Sequence, residues 1–437
     1  MKFMKQLQFF LAPVVIAGAV VLATALPQAK AHLVGNGSYP AVVCPGVLGG
    51  GSQLISLPTS GLPIRLVNGK SQSLRTSKSK VLSSNSYGTL VGGNSGSEIV
   101  FNAVTGGSTA DTVCTVGGFD EWFIGGSAGV TSQGILDIVN SGLSDSTVQV
   151  FPYTSKVALA PVTYVVNANS DKKISLASLA PGEESIALHV LTISGRVTSF
   201  MLDHRNQGLH DLGASFVPPA STPQTQLYIG GLLTSSSTSS AATLRFLVPG
   251  NVDANLHVAI YSNNGSFTPV GFDLLKVAHQ KVIDVPLPVL HISGPYGLLI
   301  TADQPAFASA LMTGKSDFAW AGELSPISKF QLNLAGTSAS FIFVGANIDL
   351  RAQWHGASGK SQQATIVGQG SAVWAPRGPI YGLLLTPINK VPVYGGAVVT
   401  NSAGGLNSLP LLANQIISGS QLPIADVRTL THSTTGN

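Results

Sequence analysis

The chain has 437 residues, more than one domain usually spans, and only 10% of them are Asp, Glu, Lys or Arg, against roughly 25% in an average soluble protein. With a formal charge of +4 and no long basic run, it lacks the charged face that nucleic-acid binding needs. Its 49 Gly and 25 Pro break helices too often for a helical fold and suit short strands with frequent turns.

Lys2 and Lys5 precede an uncharged stretch whose apolar core is Phe9–Leu26, and Ala29-Lys30-Ala31 then offers a small-x-small cleavage site. Residues 1–31 therefore read as an export signal. An apolar core of 18 residues is long for a signal and just sufficient to span a bilayer. Removal after Ala31 is expected, with a retained N-terminal membrane anchor as the alternative. In both cases the rest of the chain is extracytoplasmic, either secreted or held on the outer face of the membrane by residues 9–26.

Residues 32–118 form a Gly/Ser-rich β-region with short strand candidates and no clear internal copy. Its basic run, Arg75–Lys80, reads as a solvated loop, with contact to an anionic envelope polymer as the alternative. Cys44 and Cys114 are the chain's two cysteines, and in an oxidising compartment they are expected to form one disulfide. Closing about 70 residues would contribute on the order of 4 kcal/mol in the chain-entropy account. Buried free thiols are the alternative.

From residue 119 the chain repeats itself. WFIGGSAG at Trp122 is echoed by LYIGGLLT at Leu227. Leu136–Tyr153 lies without a gap on Leu244–Tyr261 at an offset of 108 residues, and Ala187–Leu202 lies on Gly297–Met312 at 110. A looser third unit carries SFIFVGANIDLRAQW and the phrase at Tyr381. The spacing predicts an all-β chain of tandem immunoglobulin-like β-sandwiches at 119–222, 223–325 and, diverged, 326–426, with a frayed tail at 427–437. Each unit is expected to close with a β-hairpin. In Tyr296–Met312, two apolar runs flank the turn-forming Ala-Asp-Gln-Pro.

Residues able to do chemistry are few. Gly125-Gly126-Ser127-Ala128-Gly129 matches the nucleophile elbow in letters, but a strand rather than a helix is expected to follow, and Leu232 stands at the parallel position in the next copy. Ser95 lacks the preceding His and Asp that a trypsin-like order requires. The cluster Asp203–Asp211, DHRNQGLHD, offers His204, His210 and Asp211 as a candidate metal or acid–base group, set against the plainer reading of a solvated connection. Asp120-Glu121 and Glu183-Glu184 are adjacent acids that face opposite ways on a strand, so they read as surface. Trp122, Trp354 and Trp374 are candidates for stacking on sugar rings, while Trp122 and Trp320, near repeat junctions, also suit interdomain packing. No catalytic residue, metal site or cofactor is assigned.

Cys44-Pro45-Gly46, the Glu-Trp-Phe-Ile-Gly-Gly start at Glu121, the VPG…DA…V phrase from Val248 and Asp317-Phe-Ala-Trp320 together resemble an uncharacterised family of exported actinobacterial proteins, a domain of unknown function covering most of the mature chain. The resemblance implies export and a β-rich fold, with no activity or site residues attached. The expected function is a non-enzymatic cell-envelope protein with a spacer, structural or adhesion role. Its expected partners are an envelope protein or polysaccharide, with no nucleic acid and with a membrane only through the N-terminal segment. A carbohydrate-binding envelope module is the alternative, and an extracytoplasmic hydrolase the second alternative.

Overall fold

The structure, a computed structural model, describes residues 42–412 except 49–51, 58, 69–74, 79, 84–85, 93–99, 106–107, 235–241, 335 and 402–403. The export segment 1–31, Ser95 and the tail 427–437 lie outside the described residues. Among the described residues every regular element is a strand apart from one turn of helix at Leu176–Leu179, and no helix is long and apolar enough to cross a membrane. Strands form because burial alternates. In Ser146–Thr154 and in Ala254–Ser262, every second side chain is buried, so a period of two puts the valines and isoleucines inward and Gln149 or His257 outward.

One strand order recurs four times. Residues 120–217 hold eight strands: Asp120–Phe123, Ile135–Asn140, Ser146–Thr154, Val162–Val166, Ser170–Ser175, Ile186–Ser194, Thr198–Gln207 and His210–Val217. Counted along the chain, the fourth, third, sixth and first make one antiparallel sheet, and the fifth, second, seventh and eighth make the other. The same pairings occur in residues 224–321. In residues 330–411 they occur again, with neighbouring strands fused into Ser338–His355 and Ser361–Trp374. They also occur in residues 42–113, the Gly/Ser-rich region in which the sequence shows no copy. The all-β expectation stands, but this strand order differs from the immunoglobulin one, in which the first, second, fifth and fourth strands share a sheet.

The predicted closing hairpins are not hairpins. In the single strand Pro295–Thr313, residues up to Ala302 pair with Ala254–Ser262 and Gln224–Leu233, whereas Phe307–Leu311 pair with Thr243–Leu247 in the opposite sheet. The two apolar runs never face each other. Ile186–Ser194 and Thr198–Gln207 are split between sheets in the same way. Both runs bury a face in one sandwich core, so they look alike, and the turn signal between them marks a corner from sheet to sheet rather than a reversal.

The four sandwiches close into a ring. The eighth strand of each, Ser108–Val113, His210–Val217, Phe318–Ala321 and Leu406–Leu411, lies beside the next, and the last lies beside the first. The described residues form one compact unit. Apolar cores run across the junctions: Phe200, Leu202 and Phe216 pack with Val42, Cys44 and Leu90, while Phe318 and Trp320 pack into the second sandwich. Cys44 and Cys114 are disulfide-bonded and buried, joining the first strand of the first sandwich to the end of its last. That bond suits an oxidising, extracytoplasmic environment.

Candidate functional site

At the ring axis, one carboxylate is bound by all four sandwiches. Asp317 is 2% exposed and accepts backbone N–H bonds from Thr109 (2.9 Å), Ala214 (3.2 Å), Phe318 (2.9 Å) and Leu406 (3.0 Å). Each donor belongs to the eighth strand of a different sandwich, so the side chain ties the ring at its centre. Burial pushes the carboxyl up to about 6 even though the four N–H groups pull it down. Gly213 is required here, because a Cβ at that position would lie 2.7 Å from Oδ1 of Asp317.

The junction between the second and third sandwiches holds two further buried charges, Arg245 and Asp203. Arg245, 3% exposed, makes a two-pronged pair with Asp284 at 2.7 Å on both arms and donates through Nη1 to the carbonyls of Gly126 (2.6 Å) and Ile186 (3.0 Å). Its guanidinium lies 4.8 Å from the ring of Trp320, whose Nε1 donates to Asp203 at 2.9 Å. Arg205 holds the same Asp203 at 3.2 and 2.7 Å and covers Phe318. These are charge-assisted, two-pronged contacts of the stronger sort. They occupy the donors and acceptors that a catalytic group would have to keep free.

The Asp203–Asp211 cluster is therefore split. Asp203 and Arg205 face the junction, His204 is buried with Nε2 3.5 Å from Asp211, and His210 is exposed on the hairpin at 207–210. Oδ1 of Asp211 accepts the Gly213 N–H at 2.9 Å. Among the described residues no three His, Cys, Asp or Glu side chains converge as a metal site would require. Ser127 is buried, donates to Glu184 at 3.0 Å, and is followed by the strand Ile135–Asn140. Trp122 is 8% exposed, stacked on His189 at 3.9 Å and packed on Phe307 of the third sandwich at 4.7 Å, which leaves it no free face for a sugar. Burial pushes the His189 imidazole below its ordinary range, while Asp120, 2.8 Å away, works the other way. Trp354 and Trp374 are half-buried and meet edge to face at 5.2 Å over the fourth core.

The other junctions are lighter. Arg65 donates to the Ser141 carbonyl at 2.9 Å, and Lys173 reaches the carbonyls of Val47 and Ser86, joining the first and second sandwiches. Between the third and fourth, Tyr228 stacks on Tyr394 at 3.7 Å, and a Cβ on Gly396 would collide with the Gly230 backbone. The fourth meets the first where Asn333 donates to the Leu57 carbonyl at 2.6 Å. An apolar cavity of about 40 Å³ lies near the axis between Phe216, Phe330 and Leu409, room for two or three waters at roughly 10–15 Å³ each. A more polar cleft of about 210 Å³ opens at the fourth–first seam, lined by Lys80, Gln331, Asn333, His355 and Tyr381.

Sequence reasoning missed Arg245, Asp284 and Asp317. The available signal was a charge inside a buried stretch, as in Leu-Arg-Phe-Leu-Val from Leu244.

A model of the family described as a family of unknown function (DUF5719) matches residues 72–376, from the first sandwich into the fourth. No curated protein matches the sequence. One solved structure, of a tetra-tandem repeat in the extending region of a large adhesion protein, aligns over 83% of this chain and 91% of that one at 12% identity. Its TM-score of 0.12 carries no argument about the fold.

Proposed function

Because the chain belongs to the DUF5719 family, whose function is unknown, we propose a role from its own architecture: a non-enzymatic exported envelope protein in which a rigid ring of β-sandwiches presents loops for assembly or adhesion. The observation that carries this reading is how the buried ionisable groups are used. Asp317, Arg245 and Asp203, paired with the partly exposed Asp284 and Arg205, are engaged in joining sandwiches. A ring held this way is stiff, and stiffness suits a spacer or a binding platform. The four sandwiches arose by duplication of one unit, and the third of the sequence repeats is a true copy; the shared strand order supports both statements. Export through residues 1–31 fits the disulfide.

The test is fractionation of the native host combined with assay of the purified chain. The expected result is recovery in the envelope or medium with an intact disulfide, and no turnover of ester, peptide or glycoside substrates. A hydrolytic rate that disappears on substitution of one residue would overturn the non-enzymatic reading.

A further inference from the structure

The cleft at the fourth–first seam brings an aromatic ring, amides and an imidazole around one opening. Its volume, about 210 Å³, falls below the ~300–1,000 Å³ of sites for drug-sized ligands and suits a single ring. Its walls carry an aromatic ring, two primary amides and an imidazole. Tyr381 is 40% exposed, and its backbone is fixed by donation of its N–H to the His355 carbonyl at 3.0 Å. Gln331 is exposed at the middle of the strand Phe330–Leu332. The single ion in the lining is Lys80, and no carboxylate faces it there.

We infer that this cleft is a binding site for one pyranose unit of a polysaccharide, neutral or uronic. A pyranose has an apolar C–H face that lies on an aromatic ring, here Tyr381. Its hydroxyls both donate and accept, which matches the exposed amide of Gln331, with the His355 imidazole in the same lining. Lys80 at the rim accepts a uronate carboxylate without excluding a neutral sugar. The site exists only in the closed ring, since Lys80 comes from the first sandwich and the other walls from the fourth. A bound sugar therefore bridges the seam and favours closure by mass action. The inference goes beyond the role proposed above and does not depend on it.

The experiment probes the purified exported chain on an array of hexose and hexuronate oligosaccharides, with calorimetry on any that bind. Binding to at least one is expected, accompanied by a rise in unfolding temperature. Tyr381→Ala and, separately, Gln331→Ala are each expected to weaken that binding about tenfold or more, and for Gln331→Ala, whose side chain is exposed, unfolding without sugar stays within the wild-type error. Tyr381→Phe, which keeps the ring, is expected to retain most of the affinity. An array without a binder overturns the assignment, and so does a binder whose affinity survives both alanine variants. Neither result touches the non-enzymatic role. Release of cleaved sugar would instead overturn that role and leave the cleft assigned.

Discussion

The second–third junction and the fourth–first seam join the same kinds of strand, yet they are built differently. At the former, the buried Arg245, Asp203 and Trp320 interlock with Asp284 and Arg205, which reach the surface. At the latter, Asn333 crosses to a carbonyl of the first sandwich beside a solvent-filled cleft. A closed ring needs every junction, but the junctions need not be equally strong. Two-pronged pairs around the buried Arg245 and Asp203 make one of them a lock, and the fourth–first seam is expected to open first. The strong junction should therefore show the largest losses on mutation.

Arg245→Ala tests the lock. It leaves the carbonyls of Gly126 and Ile186 unanswered, while Ser185 and water still serve Asp284, a change expected to cost ~3–5 kcal/mol in urea unfolding at about 1–3 kcal/mol for each buried oxygen. A loss under 1 kcal/mol would show that the junction is held by its apolar contacts alone. Close behind comes the staple in the first sandwich, one wall of the seam. Replacing Cys44 and Cys114 together by Ala is expected to cost about 4 kcal/mol by loop entropy, and to release the 42–113 sandwich before the rest. Limited proteolysis would show first cuts in that region; first cuts elsewhere would refute the order.

A third difference is readable in pH. Burial pushes the Asp137 carboxyl, at the first–second junction, up to about 7 and that of Asp317 up to about 6, against near 4 for an unfolded aspartate. Glu121 and Glu323 are raised to about 7 and about 8 by the same cause, although both retain contact with water, which discounts their share. A carboxyl raised on folding favours the native state while the folded form keeps its proton. That contribution is complete below the unfolded value and is lost as pH climbs through the folded one. His189 has the opposite sense, but only below its ordinary imidazole range. Unfolding free energy is thus expected to fall by on the order of 2 kcal/mol between pH 6.5 and 8.5. Asp137→Asn should remove a large part of that slope, and a flat profile would exclude these groups as its source.

Strand positions were legible in the sequence because one valine or isoleucine at every second place is a local signal, and the near-equal offsets of Leu136–Tyr153 and Leu244–Tyr261 made the duplication visible. The copy that forms the first sandwich was not legible. Its strands, such as Thr89–Val91 and Pro63–Leu66, are three or four residues long, too short for alternation to stand out. The axis was hidden for another reason. Asp317 binds backbone N–H groups 208, 103 and 89 residues away, and a backbone donor leaves no trace in residue identity. Equivalent amides can even be capped from different places: Ser199 N–H is answered by Glu121 from a first strand, and Ala308 N–H by Glu323 from beyond an eighth. The split of Asp203 from His210 had the same origin, since Trp320, the partner that claims Asp203, lies 117 residues on.

The smallest expected effect is the most direct test of the contrast. Asn333→Ala deletes the donor that reaches the Leu57 carbonyl and should cost only about 0.5–1.5 kcal/mol globally, because water can enter the seam and answer that oxygen. Locally the change should be larger. The Leu57 N–H, bonded to the Lys80 carbonyl at 2.7 Å, lies on the same wall, so hydrogen exchange should accelerate over 52–57 and 330–334 while Thr243–Leu247 at the lock keeps its protection. If instead the loss equals that of Arg245→Ala and exchange rises everywhere together, the ring opens as one cooperative unit, and the difference between its junctions is one of chemistry without any difference in strength.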